Sequence, residues 1–309
     1  MLASYKGEKF IADQFESILN QTYKNWNLYI RDDSSSDQTV AIIKKYQQQD
    51  PRIHLILDNL GNLGSVQNFN ALFQHTKNTE YIMFCDQDDV WLPSKIADTL
   101  NEMIARENEY TQNTALLIHT NFLYVDSLLN PIDSKKNFEA TKIKKPVFSN
   151  VLCQNSVYGC TMMINQKLAD TTNKIPVEAE NHDYWFALTA SAFGKISYLS
   201  KKTILYRQHE QNASTQHNFN SFSKRFQRIF IDKKNFDDVR SKIKMAIVFK
   251  NKYYEQLSAH NKQVIDDFIA LSKKRNLPLL IRNIKNGIRR QTLNQTVLFY
   301  ITLILSKKT

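Results

Sequence analysis

The sequence predicts an α/β fold: a mostly parallel sheet flanked by helices, joined to a basic α-helical C-terminal region. Two observations carry this. Between residues 1 and 110, short apolar runs alternate with helix-period segments, the pattern of parallel strands covered by helices. Charge then divides the chain. Residues 1–219 hold 21 Lys+Arg and 24 Asp+Glu, net −3, whereas residues 220–309 hold 20 and 6, net +14. Two domains are therefore expected, 1–219 and 220–309.

The elements follow in order. Asn27–Arg31, Ile53–Leu57 and Tyr81–Cys85 have strand-like content. Glu8–Gln21, Asp37–Gln49, Ser65–Thr76 and Pro93–Glu107 have helical period. Beyond residue 110, Ala115–His119 and Thr161–Ile164 read as strands and Asn181–Phe193 as a helix. Lys195–Leu199 and Thr203–Tyr206 read as a pair of short strands. From about residue 220 the chain reads as helical, with no clear turn signal until Pro278. At the start, Met1–Ser4 supplies only the end of a strand, shorter than the ~5–6 residues usual for one.

Composition excludes several classes. The 42% hydrophobic content rules out wholesale disorder. Only six glycines occur, and neither GxGxxG nor GxxxxGK[ST] is present, so a glycine-loop nucleotide site is excluded. Three cysteines without a CxxC argue against a disulfide framework or a zinc site and fit a reducing cytosol. No secretory leader pattern is found, and no apolar run reaches the ~18 residues of a membrane span.

Four polar constellations fall at element ends. Asp86-Gln87-Asp88-Asp89 ends an apolar run and precedes Val90-Trp91. Its three carboxylates repel one another, so they invite either a hard divalent cation or the N-terminus of the next helix. A cation there could also stabilise a diphosphate leaving group. Asp32-Asp33-Ser34-Ser35-Ser36-Asp37 could accept hydrogen bonds from a base, or form an Asx turn capping a helix. Asp183, between His182 and Tyr184-Trp185, could serve as a general base or simply open a helix. Arg207 and His209 alternate along one strand, suiting a phosphate or metal, or a solvated strand end. Ligands of open α/β sheets bind beyond the carboxyl ends of strands, where the first two clusters fall.

Taken together and in order, these motifs resemble the inverting family 2 glycosyltransferases of GT-A fold, from Leu2 to about Ser214. The resemblance rests on Ala3-Ser4-Tyr5-Lys6-Gly7-Glu8, Arg31 through Asp37, Asn62-Leu63-Gly64, Asp86 through Trp91, Gly159-Cys160-Thr161, His182 through Trp185, and Tyr206 through His209. The DQDDVW, HDYW and YRQH forms are most similar to bacterial rhamnosyltransferases of cell-wall, capsule and O-antigen polysaccharide synthesis. The resemblance implies that Ala3, Ser4, Tyr5 and Glu8 border the nucleoside. It implies that Asp32 and Asp33 read its base and ribose, and that Asn62 and Gly64 close over it. Asp86 would lie on the ribose side of a DxD motif. Asp88, with His209, would hold Mg²⁺ or Mn²⁺, and Arg207 would reach the diphosphate. Gly159, Cys160, Thr161, His182 and Trp185 would wall the donor and acceptor pocket. Asp183 would be the catalytic base, charged at pH 7 if its pKa stays near the ordinary ~3.9.

The implied donor is a nucleotide sugar, dTDP-L-rhamnose or a UDP-sugar, and the implied acceptor is a lipid-linked saccharide. A non-catalytic paralogue that binds nucleotide sugar or assists a transferase complex is the alternative. Two departures stand out. Lys6 replaces the family's usual Asn, and the first strand is truncated. Either translation starts upstream of Met1 or the chain is a shortened paralogue. In the C-terminal region, Arg282, Lys285, Arg289 and Arg290 interleave with Ile281, Ile284 and Ile288, and Val297–Leu305 follows. Such a pattern suits an anionic membrane surface, with a solvated helical appendage packing on the catalytic domain as the plainer alternative. A homodimer contact competes for the apolar run, while nucleic acid is disfavoured because no stacking-aromatic signature accompanies the charge. The expected location is cytoplasmic, peripheral on the inner face of the cell membrane.

Overall fold

The structure, a computed structural model, describes residues 1–132, 146–209, 233–274 and 276–305. Strand β1 (Leu2–Ser4) runs parallel to β2 (Leu28–Asp32), and β2 runs parallel to β3 (Ile53–Leu55). Helix α1 (Ile11–Leu19) buries Ile11, Phe15 and Ile18, an i, i+4, i+7 stripe. Helix α2 (Thr39–Gln49) buries Ile43 and Tyr46, and these side chains share one core with Leu2, Leu28 and Ile30. Helix α3 (Ser65–Thr76) leads to β4 (Tyr81–Met83). Beyond β4, the Cys85 N–H donates to Met1 O at 2.9 Å, and Leu2 bridges Cys85 in parallel. This contact sets the acidic segment after β4 beside the loop that leaves β1.

A cavity of about 340 Å³ is lined by Met1, by Leu28 and Tyr29 of β2, and by all three residues of β4.

A five-stranded sheet has the order β4, β7 (Met162–Asn165), β6 (Ala115–Val125), β8 (Gly194–Arg207), β5 (Val90–Trp91). Strands β6 and β8 are parallel, whereas β7 is antiparallel to both its neighbours and β5 is antiparallel to β8. The two short strands expected at 195–199 and 203–206 are one 14-residue strand. Its pairing jumps from Thr120↔Leu199 to Asn121↔Lys202. Ser200 and Lys201 are absorbed as an irregularity, so polar residues that resembled a turn only bend the strand. At the start of β8 the backbones approach so closely that a Cβ on Gly194 would lie 1.8 Å from the Ala115 carbonyl oxygen. Helices α4 (Lys95–Tyr110), α6 (Gln166–Thr172) and α7 (His182–Phe193) complete this part of the chain.

The chain divides into two compact units. One comprises Met1–Lys145 and Val157–Glu210. The other comprises Pro146–Ser156 and Gln211–Thr309, so it includes a stretch that the charge pattern alone grouped with the first. That stretch holds α5 (Phe148–Cys153), every residue of which is buried. Within the second unit Phe148 meets Phe249 at 5.7 Å, and Asn150 Nδ2 donates to Gly287 O at 3.0 Å. Its remaining helices are α8 (Lys233–Tyr253), α9 (Ala259–Lys274), α10 (Leu277–Lys285) and α11 (Leu293–Leu305). The Asn276 side chain accepts the Leu279 N–H, and Pro278 stands in the first turn of α10, which explains why that helix begins there.

Candidate active site

The site is assembled from strand ends. At the end of β2, Asp32 accepts hydrogen bonds from Ser4 Oγ at 2.9 Å and from Ser35 Oγ at 2.6 Å, tying the β1 loop to the β2 loop. Asp33 behaves differently from the expectation. It is buried, and its carboxylate accepts the Leu63 and Gly64 N–H groups at 2.7 and 2.8 Å and Arg31 Nη1 at 2.9 Å. With those partners it holds the 62–64 loop. The Asn62 side chain donates to Asp33 O at 2.8 Å, and Gly64 caps α3 at φ +74°, a conformation that favours glycine. Asn62 and Gly64 are thus brought to the β2 end.

In the β1 loop, Ala3 lies within β1, whereas Tyr5 is exposed. Glu8 is a second correction. Its carboxylate accepts the Gln38 N–H at 2.8 Å just before α2, so it caps a helix rather than bordering a ligand. Gln87 clasps this loop: its side chain accepts the Tyr5 N–H and donates to Tyr5 O, at 2.9 and 2.8 Å. A Cβ on Gly7 would lie 2.3 Å from Gln87 Oε1, so the clasp requires glycine there.

The acidic segment after β4 contains two environments. Asp88 is partly exposed, and His209 Nε2 stands 2.8 Å from its Oδ2. Asp89 is buried; its Oδ1 accepts the Arg207 N–H at 3.1 Å, while its Oδ2 has no hydrogen-bond partner among the described residues. Burial raises the Asp86 carboxyl above the carboxylate range, helped by the negative charges of Asp88 and Asp183. The ordinary remedy for such crowded carboxylates is a cation. Asp86, Asp89 and Cys160 also converge, each offering one atom within 4.8 Å of the others. Burial raises the Cys160 thiol, so the sulfur is protonated and suits donation to the carboxylates better than binding a hard ion. The hard oxygen and imidazole donors of Asp88 and His209 fit Mg²⁺ or Mn²⁺.

Beneath this segment Lys95 is fully buried, its ammonium 4.7 Å from the Trp91 ring centroid. Burial lowers its pKa to about 8, with Asp89 among the groups opposing the fall.

Arg207 is a third correction. It is 2% exposed, and its guanidinium donates to Asp88 O at 2.7 Å, Ser127 O at 2.6 Å and Asp13 Oδ2 at 2.7 Å. It is a positioning residue that fixes the Asp88 backbone, and it does not extend to a diphosphate.

Asp183 stands in the first turn of α7. Its Oδ2 accepts the Gly159 N–H at 3.0 Å, and its Oδ1 has no hydrogen-bond partner among the described residues. Burial pushes its pKa up to about 7, with the Tyr184 and Gly159 N–H groups opposing the rise. The ordinary value expected from sequence is therefore too low, because the carboxylate is withdrawn from water. Gly159 is required here: a Cβ would meet His182 Nε2 at 2.5 Å. His182 is buried between Phe69 and Phe84, with ring centroids at 3.8 and 5.5 Å, and burial lowers its pKa to about 3. Cys160, Thr161 and Trp185 are all buried, so they back the site rather than present a pocket wall. Of the five wall residues expected, Gly159 donates its N–H to the base.

Sequence reading assigned no role to Gln87, Arg31, Asp58, Asp13 or Lys95. Arg31 is 2% exposed and binds Asp58 through two bonds, at 2.7 and 3.0 Å, besides Asp33 and Asn68. A strand-end Arg flanked by carboxylates was the available signal.

The strand-end carboxylates place the candidate ligand site beyond the carboxyl ends of β2 and β4, as in open α/β sheets. Residues 1–158 match the family model Glycosyl transferase family 2, about half of the chain, and the chain belongs to that family. Among curated proteins it is 28% identical over 223 residues to "dTDP-rhamnosyl transferase RfbG" of Shigella flexneri, covering 68% of this chain and 72% of that protein. It is 25% identical over 189 residues to "UDP-Glc:alpha-D-GlcNAc-diphosphoundecaprenol beta-1,3-glucosyltransferase WfgD" of Escherichia coli, covering 61% and 68%. Among solved structures it resembles S. aureus TarS 1–349 in complex with UDP-GlcNAc, with TM-score 0.57, 16% identity and 92% and 78% coverage. It also resembles the mannosyltransferase PcManGT from Pyrobaculum calidifontis with GDP-Man and Mn²⁺, with TM-score 0.52, 14% identity and 98% and 84% coverage. At such identities these structures show the shared fold alone.

Proposed function

We propose that this glycosyltransferase is an inverting enzyme of bacterial surface polysaccharide synthesis. It transfers L-rhamnose from dTDP-L-rhamnose to a hydroxyl of a lipid-linked saccharide, at the inner face of the cell membrane. The observation that carries the reading is Asp183: one oxygen held by the Gly159 N–H, the other without a partner, and a pKa near 7. A base poised near the working pH is suited to removing a proton from an acceptor hydroxyl. Inversion needs one such base and one stabilised leaving group, and no separate acid. Asp88 and His209 would hold Mg²⁺ or Mn²⁺, which when bound neutralises charge on the departing diphosphate. Asp32 and the 62–64 loop border the nucleoside, and Gln87 keeps the β1 loop against it.

The choice of donor is supported by the similarity to RfbG, and that of a lipid-linked acceptor by the similarity to WfgD. Among the described residues no helix is long and apolar enough to cross a membrane, and the strongly basic C-terminal region suits peripheral attachment. The test is a donor panel of dTDP-rhamnose and UDP-sugars with Mn²⁺, run on the wild type and Asp183→Asn. Asp183→Asn is expected to bind dTDP normally and to lose transfer. Full transfer by that variant refutes the assigned base, and preference for a UDP-sugar refutes the donor.

A further inference from the structure

Fourteen large hydrophobic residues are exposed among the described residues, and seven of them fall between Leu277 and Leu305. Elsewhere they are scattered singly, which is ordinary for a protein surface.

In this segment they are ordered by helical geometry. On α10, Leu279 and Asn283 face inward, with Asn283 Nδ2 donating to Asp267 O at 2.9 Å. Leu277, Ile281 and Ile284, spaced i, i+4, i+7, face solvent. On α11, Phe299, Tyr300 and Leu303 are buried, and Phe299 stacks on Phe268. Its outer stripe is Leu293, Val297, Ile301 and Leu305, every fourth residue. Each helix thus has one apolar face that the fold uses and a second that it leaves bare.

Charge identifies the occupant. From Phe268 to Thr309 there are nine Lys and Arg residues and no Asp or Glu. Lys273 and Lys274 on α9, Arg282 and Lys285 on α10, and Arg289 beyond it are all exposed. Arg282 pairs with Asp267 at 2.8 Å, and a second copy docking through this face would set the other exposed cations of the segment against their own counterparts. An anionic bilayer would instead neutralise them. The 13 residues of α11 span about 20 Å, short of the ~30 Å hydrocarbon core. The stripes therefore suit a helix lying in the interface plane.

We infer that the outer faces of α10 and α11 are a lipid-inserting surface for anionic phospholipid headgroups and the acyl boundary below them. This rests on the membrane attachment proposed above, and it names the side chains responsible. The full chain is sedimented with vesicles of phosphatidylglycerol and phosphatidylcholine, and with phosphatidylcholine alone, at low and high salt. A variant carrying Ile281→Gln, Ile284→Gln, Val297→Gln and Ile301→Gln is compared with the wild type, with its melting temperature as the folding control. The wild type is expected to bind anionic vesicles and to be released from them by salt. The variant is expected to bind at least tenfold more weakly with an unchanged melting temperature. Wild-type binding by the variant overturns the assigned face and leaves attachment standing. No binding by the wild type overturns attachment itself. A wild-type dimer that the same substitutions dissociate, with vesicle binding intact, assigns the face to a second copy and overturns the inference.

Discussion

His209 Nε2 lies 2.8 Å from Asp88 Oδ2, joining residues 121 apart in sequence. The ring sits on Phe10, with centroids 4.7 Å apart, so its orientation is fixed by packing as well as by the carboxylate. Such a pre-set pair of oxygen and nitrogen donors loses little freedom when it takes up a cation. His209→Ala is expected to weaken Mn²⁺ binding at least tenfold, since losing even an outer partner of a metal ligand typically costs about 10–100-fold. Calorimetric titration of Mn²⁺ in the presence of dTDP measures this. Unchanged affinity would reduce the histidine to a packing residue on Phe10.

Asp183 predicts a pH dependence of definite sign. Only its ionised form accepts a proton, and its pKa is raised to about 7. The free-enzyme kcat/KM is therefore expected to fall about tenfold per unit as pH drops below that value. A profile flat down to pH 5 would show that the base titrates near the ordinary carboxylate value.

The same shift bears on stability. The folded state holds this proton more tightly than the unfolded chain, so the stability it contributes is full below about pH 4 and is lost as pH rises through about 7. Asp183→Asn removes that loss. It is expected to be more stable than wild type at pH 8, by on the order of 1–4 kcal/mol, with the difference vanishing near pH 4. Urea unfolding at both pH values reads it. Equal stability at pH 8 would mean that water reaches the carboxylate.

Arg207 predicts a structural failure with a catalytic signature. Its guanidinium is buried and joins Asp88 O, Ser127 O and Asp13. Arg207→Met leaves those acceptors unanswered and is expected to cost about 3–5 kcal/mol, typical of breaking a buried charge network. Arg207→Lys keeps the charge but not the planar fork. It is expected to retain most of the fold while losing turnover, because Asp88 is no longer held. Equal turnover in the lysine variant would separate Arg207 from the site.

These cases show what a sequence can express. The alternation of apolar runs and helical periods was legible, because burial on a sheet imposes it residue by residue. The acidic cluster Asp86–Asp89 was legible as a strand-end feature. Asp183 was legible only as a carboxylate near a helix start, whereas Asn62 and Gly64 entered only through the motif resemblance. Side-chain direction was not legible. Asp33, Glu8 and Arg207 have the residue types expected of a ligand site, yet their polar atoms are engaged by backbone groups distant in sequence. Nor could sequence reveal that Ser200 and Lys201 interrupt a strand without ending it, since the register lies in the partner β6.

The Arg31 network gives the last prediction. Arg31 binds Asp58 twice and Asp33 once, and it also donates to Gly61 O at 3.0 Å. Asp33 in turn grips the Leu63 and Gly64 N–H groups. A single buried cation thus sets the whole 58–64 loop, although it meets no reacting atom. The guanidinium fork is needed because lysine offers one point charge and cannot reach two carboxylates, a side-chain amide and a carbonyl together. Arg31→Lys is expected to loosen the loop, raising KM for the nucleotide sugar about tenfold while leaving kcat within about twofold, since uniform binding is lost and the base is untouched. Equal losses in kcat and kcat/KM would instead mean that the loop tightens only in the transition state, and Arg31 would then be positioning the reacting sugar.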